Sequence, residues 1–177
     1  MKQKVLIVLM FAFAFVTQSK TITLDYVVKS YNDGYKVKMI RPTIDNFIKL
    51  SNLDYQEFAD TFKQYGYINC DFGEYMAYWN GDIDNLAEYF SVYNTFGYGW
   101  NIYNHEIIYI ADYDKVYPST DVTDLQIALT PYEQGSYKID SGATTILFVY
   151  PKGQDKYYFF ITSSGFWDIR VVKNYNY

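Results

Sequence analysis

Thr145 to Tyr150 reads T-I-L-F-V-Y, Tyr157 to Ile161 reads Y-Y-F-F-I, and Phe166 to Val172 reads F-W-D-I-R-V-V. These three runs are rich in the β-branched and aromatic residues that fill a pleated surface. Pro151, Lys152 and Gly153 lie in the first gap and Ser163, Ser164 and Gly165 in the second, short connections suited to antiparallel hairpins. The stretch from Ala143 to Val172 is therefore expected to form a three-stranded meander. Its first two runs are apolar on both faces, the pattern of strands covered on both sides. The third alternates, with Trp167, Ile169 and Val171 facing in and Asp168 and Arg170 facing out, which predicts an edge strand or one covered on a single face.

Working back from the meander, Pro131 should stop a helix that begins near Pro118, Ser119 or Thr123 and runs through Leu125 and Ala128. Ile102 to Ala111 contains I-I-Y-I and reads as a strand. Phe96 to Trp100, F-G-Y-G-W, is aromatic but broken by Gly97 and Gly99, which argue against a regular strand. Residues 84 to 93 fit either a short helix or a second hairpin strand. Tyr67 to Trp79 gives one or two strands with a bend at Gly73. Before it, Leu53, Phe58, Phe62 and Tyr65 follow helical spacing, with Gly66 just past the end, and Ser51 with Asp54 suggests a capping box. A shorter helix from Ile44 is capped by Thr43. At the front, Ile22, Leu24, Tyr26 and Val28 alternate, as do Tyr35, Val37 and Met39. Asn32-Asp33-Gly34 between them is a hairpin signal.

The first nineteen residues have the form of an export signal: Lys2 and Lys4, a twelve-residue apolar stretch from Val5 to Val16, then small or polar residues to Ser19. Twelve apolar residues are too few to span a bilayer, which takes roughly 20, so no stable membrane span is expected after processing. Removing residues 1–19 takes away two lysines and no acids, moving the net charge from -5 to -7, which disfavours a nucleic-acid phosphate partner. The single cysteine, Cys70, excludes an internal disulfide. Tyrosine is the compositional outlier, with 22 Tyr and 13 Phe against 4 Pro. Tyrosine suits both half-exposed strand faces and recognition surfaces.

Motifs that would carry chemistry fail on inspection. His105-Glu106 opens a zinc-protease pattern whose second histidine would be residue 109, which is Tyr109. Asn80, Asp82 and Asp84 alternate like calcium ligands, but Asn85 and Ser91 replace the glycine and the bidentate glutamate of an EF-hand. Ile139 to Thr144, I-D-S-G-A-T, resembles the active-site loop of aspartic proteases over six residues. The meander occupies the chain that such a protease would need afterwards, so Asp140-Ser141-Gly142 is better read as a turn. Glu74, Asp82, Glu88, Glu106 and Asp112 could supply a carboxylate pair, but spacing in space decides that chemistry.

The resulting expectation is a single α+β domain over residues 20–177: an antiparallel sheet of about five to seven strands with two or three helices packed on one face. It is expected to be a secreted or periplasmic, non-enzymatic binding module of the cell envelope or medium, with a protein or glycan partner. No catalytic residue, metal or cofactor is assigned. Phe96, Tyr98, Trp100 and Tyr103 are the candidate ligand-binding residues if their rings are exposed, the alternative being that the glycines let them enter the core. The competing functional expectation is a small hydrolase acting on envelope or polysaccharide material through unassigned carboxylates.

Overall fold

The computed structural model describes residues 22–30, 36–72, 75–79, 96–101, 105–112, 120–139, 142–163 and 166–175. The export signal, Asn80 to Asp84, residues 84–93, Tyr103 and Asp140 lie outside them. Within them the chain forms β1 (Tyr26–Ser30), β2 (Lys36–Ile40), α1 (Ile44–Leu50), α2 (Tyr55–Gln64), β3 (Ile68–Phe72), β4 (Tyr75–Trp79), β5 (Phe96–Asn101), β6 (Glu106–Asp112), α3 (Thr120–Leu129), β7 (Glu133–Lys138), β8 (Thr144–Lys152), β9 (Asp155–Ser163) and β10 (Phe166–Lys173). The α+β class holds. None of these helices is long and apolar enough to cross a membrane.

The main sheet is antiparallel, with order β3-β4-β5-β6-β10-β9-β8-β7, and β1 and β2 form a separate hairpin. It consists of two four-stranded meanders, β3 to β6 and β7 to β10, joined where β6 pairs with β10. The predicted meander is the β8-β9-β10 part. β10 is not an edge: it is hydrogen-bonded to both β6 and β9. The sheet has eight strands, beyond the expected five to seven, because β7, E-Q-G-S-Y-K, escaped the sequence reading. All six of its residues are exposed, so it carries no apolar alternation to detect.

Helices cover one face of the sheet. Phe47 of α1 meets Tyr98, Tyr109 and Phe159, with ring centroids 6.1, 6.4 and 5.8 Å away. Phe58 of α2 stands edge-on to Trp100 at 5.0 Å, and Phe62 lies 5.1 Å from Tyr98. Val122, Leu125 and Leu129 of α3 join the same core. The alternation read for β10 places Ile169 and Val171 here, fully buried. The facing residues of β8 and β9, including Leu147, Val149, Tyr158 and Phe160, are only half-buried. These two strands are thus covered fully on one side, not on both.

Helix ends follow local chemistry. Thr43 caps α1 by accepting the Asn46 N–H, as expected. The capping box of α2 is Asp54 with Glu57: Asp54 accepts the Glu57 N–H at 2.8 Å and Glu57 accepts the Asp54 N–H at 3.1 Å. Ser51 instead closes α1, its hydroxyl donating to the Phe47 carbonyl. Gly66 takes a left-handed φ of 83° just after α2, where a side chain would be strained.

The hairpin β1-β2 is held by side chains that grip its backbone. The Tyr65 hydroxyl accepts the Leu24 N–H at 2.8 Å, and the Tyr67 hydroxyl accepts the Ile40 N–H at 3.0 Å. The Tyr98 hydroxyl donates to the Ile40 carbonyl at 3.2 Å. Buried Asn46 accepts the Asp25 N–H and donates to the carbonyls of Asp25 and Arg41, so one amide clasps both flanks. Arg41 also reaches Asp121 of α3 through Nε at 3.0 Å and Nη2 at 2.7 Å. The alternating set divides: Leu24 is buried and Ile22 packs on the core just before β1, whereas within the strand Val27, opposite Met39, packs on the core while Tyr26 and Val28 are exposed. A two-stranded ribbon has one face to bury, and Met39 fixes which one.

Candidate functional site

Phe96, Tyr98 and Trp100 lie on β5, a regular strand paired on both sides. The expected glycine-broken loop does not form, because Gly97 and Gly99 occupy ladder positions opposite Ile110 and Ile108. Tyr98 and Trp100 are each 1% exposed and sit under α1 and α2, so an exposed stacking platform at these two residues is corrected to core packing. Burial holds the phenols of Tyr98 and of its neighbour Tyr109 well above the usual tyrosine range. The Phe96 side chain and Tyr103 lie outside what the structure describes.

The face opposite α1 and α2 carries an open cleft of about 460 Å³ lined by Glu106, Tyr137, Ile139, Thr145, Phe160, Thr162, Asp168, Arg170, Val172 and Tyr175. Strand register builds it. Asp168 and Arg170 are the out-facing residues of β10, lying beside Thr162 and Phe160 of β9. Thr145 of β8 stands directly opposite Thr162 and shares a hydroxyl hydrogen bond with it at 2.7 Å. Tyr137 of β7 is opposite Thr145. On the other flank β6 sets Ile108 opposite Arg170, and Glu106, two residues earlier, falls on the same face by alternation. Five strands from both meanders thus contribute.

Tyr175 enters the cleft because the chain turns back after β10. Asn174, with a left-handed φ of 50°, donates its N–H to the Lys156 carbonyl and accepts the Lys156 N–H on its side chain. It also donates to Asp155. That clamp brings the Tyr175 ring to 5.8 Å from both Tyr158 and Phe160.

The polar centre is an ion pair. Arg170 donates from Nε to both Asp168 carboxylate oxygens, at 3.1 and 3.3 Å, and from Nη2 to one of them at 3.0 Å. The Asp168 side chain is 15% exposed and that of Arg170 44%, so the carboxylate is recessed and the guanidinium reaches outward. Glu106 is 8% exposed. The sequence offers Glu106 as one of several carboxylates, and the alternation of β10 turns Asp168 and Arg170 outward. Their convergence was not readable, because it depends on β6 pairing with β10.

A second concavity of about 400 Å³ lies beside α1 and the β8-β9 turn, lined by Ile22, Ile48, Lys49, Asn52, Leu53, Lys152, Asp155 and Tyr157. Both of its lysines are engaged by Asp45, at 2.7 Å from Lys49 and 3.7 Å from Lys152. The Lys49 ammonium holds the Asp45 carboxyl below its ordinary value. This hollow is cross-tied by its own charges, which leaves the sheet-face cleft as the stronger candidate. No protein-family model matches the chain, and no curated protein or solved structure matches it either.

Proposed function

We propose that the protein is an exported, non-enzymatic binding module whose ligand seat is the cleft on the sheet face opposite α1 and α2. The observation that supports this is the convergence of an Asp168–Arg170 pair, a Thr145–Thr162 hydroxyl pair and aromatic side chains in one open concavity. Ligand sites characteristically combine apolar walls with a few placed polar groups in a volume of about 300–1,000 Å³. Rigid strands, rather than loops, would hold those groups. With Tyr98 and Trp100 of β5 in the core, the binding role falls to this cleft.

The hydrolase reading draws on one specific feature, the presence of Glu106 and Asp168 in the same cleft. Asp168 is committed to Arg170, a geometry suited to orienting a ligand more than to exchanging a proton. A fragment library of mixed chemistry, screened by NMR against the protein, tests the seat. Hits should perturb the signals of Tyr137, Thr145 and Thr162, and should be lost in the double variant D168A/R170A, which removes both charges together. Hits confined to other surfaces would remove the cleft from consideration, and turnover abolished by Glu106→Gln would favour the hydrolase.

A further inference from the structure

We infer that the cleft takes a neutral, polyhydroxylated ligand, a saccharide segment, in preference to an anion or an organic cation; this rests on the reading of the cleft as the ligand seat. The charges decide first. Among the described residues that line the cleft Arg170 is the one cation, and three hydrogen bonds bind it to Asp168, so its field is largely cancelled. Glu106 adds a second carboxylate beside them. An anion entering here would meet two carboxylates against one guanidinium, on a chain whose net charge is already -5. A cation fares little better, since Asp168 is already neutralised by Arg170 and Glu106 is itself engaged within the protein.

What remains is a surface dense in donors and acceptors around an ion pair that is neutralised within itself. The recessed Asp168 carboxylate and the outward guanidinium present an acceptor and a donor side by side, and adjacent hydroxyls on a sugar ring supply the matching donor and acceptor. The Thr145 and Thr162 hydroxyls rotate to give or accept as required. Saccharide rings also carry apolar C–H faces that lie against aromatic rings. Tyr137, 49% exposed, stands on the β7 side, and the Phe160–Tyr175 pair stands near β9. A cleft with aromatic rims and a polar floor centred on a self-neutralised ion pair fits a ring that is polar at its edge and apolar on its faces.

Calorimetric and NMR titration of the protein with maltotriose, cellotriose and triacetylchitotriose as neutral probes, chitosan trimer as the cationic probe and trigalacturonate as the anionic probe tests the inference. At least one neutral trisaccharide should saturate with a Kd between about 10 μM and 1 mM, the range of −7 to −4 kcal/mol, and shift the Thr145 and Thr162 signals. Asp168→Asn should weaken it at least about tenfold, a loss of about 1.4 kcal/mol or more. Tyr137→Ala should weaken it while leaving the melting temperature unchanged. If a charged trimer binds at least tenfold tighter than every neutral one, or if fragments occupy the cleft while no neutral probe does, the ligand class is wrong and the seat survives. If neither fragments nor trisaccharides perturb the cleft, both readings fall.

Discussion

Replacing Tyr98 separates two accounts of the aromatic stretch on β5 by energy alone. Its ring is wedged among Phe47, Phe62, Tyr67 and Tyr109, at centroid distances of 6.1, 5.1, 6.5 and 5.0 Å. Its hydroxyl donates to the Ile40 carbonyl at 3.2 Å. Tyr98→Ala removes both and leaves a cavity beneath α1 and α2, a change that costs about 3–5 kcal/mol for a large buried aromatic. In a chain of this size that corresponds to a fall in melting temperature of roughly 6–20 °C, at about 2–4 °C per kcal/mol. Tyr98→Phe keeps the ring and deprives only the buried Ile40 carbonyl of its donor, for about 1–3 kcal/mol. Trp100→Ala belongs with the larger loss. Thermal melts followed by circular dichroism and tryptophan fluorescence would rank wild type, Tyr98→Phe and Tyr98→Ala in that order. Both alanine variants melting within about 2 °C of wild type, less than 1 kcal/mol, would refute the core placement and restore these rings to the surface.

Arg41→Ala strands the Asp121 carboxylate, whose side chain is 3% exposed, and should cost about 3–5 kcal/mol in urea melts. Arg41→Lys should recover only part, since a single ammonium cannot reproduce the two-pronged contact from Nε and Nη2. Raised folded-state phenol pKa values at Tyr98 and Tyr109 give stability that is complete below the unfolded value of about 10 and is lost as pH rises above it. Each of the two should withdraw up to about 1.4 kcal/mol per pH unit over that window, so the pH dependence above 10 should be shallower in Tyr109→Phe; equal slopes would refute the assignment. Intact-mass measurement on protein from the medium or periplasm should give a chain beginning near Lys20, and a full-length, membrane-embedded species would defeat the export proposal.

Elements with strong local signals were legible in the sequence. The β8-β9-β10 meander, the inward set of Trp167, Ile169 and Val171, the Thr43 cap and the Gly66 stop all rest on interactions within a few residues. β7 was invisible because its register is imposed by β8 and not by its own composition. Gly97 and Gly99 argued for a loop at β5, but ladders on both sides outweigh the backbone entropy that glycine brings. Ser51 and Asp54 have the spacing of a capping box, but Asp54 and Glu57 make the same motif three residues on and leave Ser51 to close α1. The cleft was the least legible feature. Its residues come from six separate stretches, and the outward D-x-R of β10 was the sole local hint that a charged pair faces away from the helices.

The join between the two meanders has a kinetic consequence. Every other neighbour pair in the main sheet is consecutive in sequence among the described strands, whereas β6 and β10 meet with Ile107 opposite Val171. Each half can therefore zip up through local hairpins, while the central seam must wait for the entropic cost of closing a loop of some sixty residues. That seam should form late and open early. Glu106 on one side of it and Asp168 and Arg170 on the other belong to the proposed ligand seat, so a bound molecule would bridge the two halves at their last-made junction. Amide hydrogen exchange along Ile107 to Ile110 and Asp168 to Val171 should then slow on ligand binding more than exchange within either hairpin stack, making occupancy a brake on the separation of the sheet into its two parts.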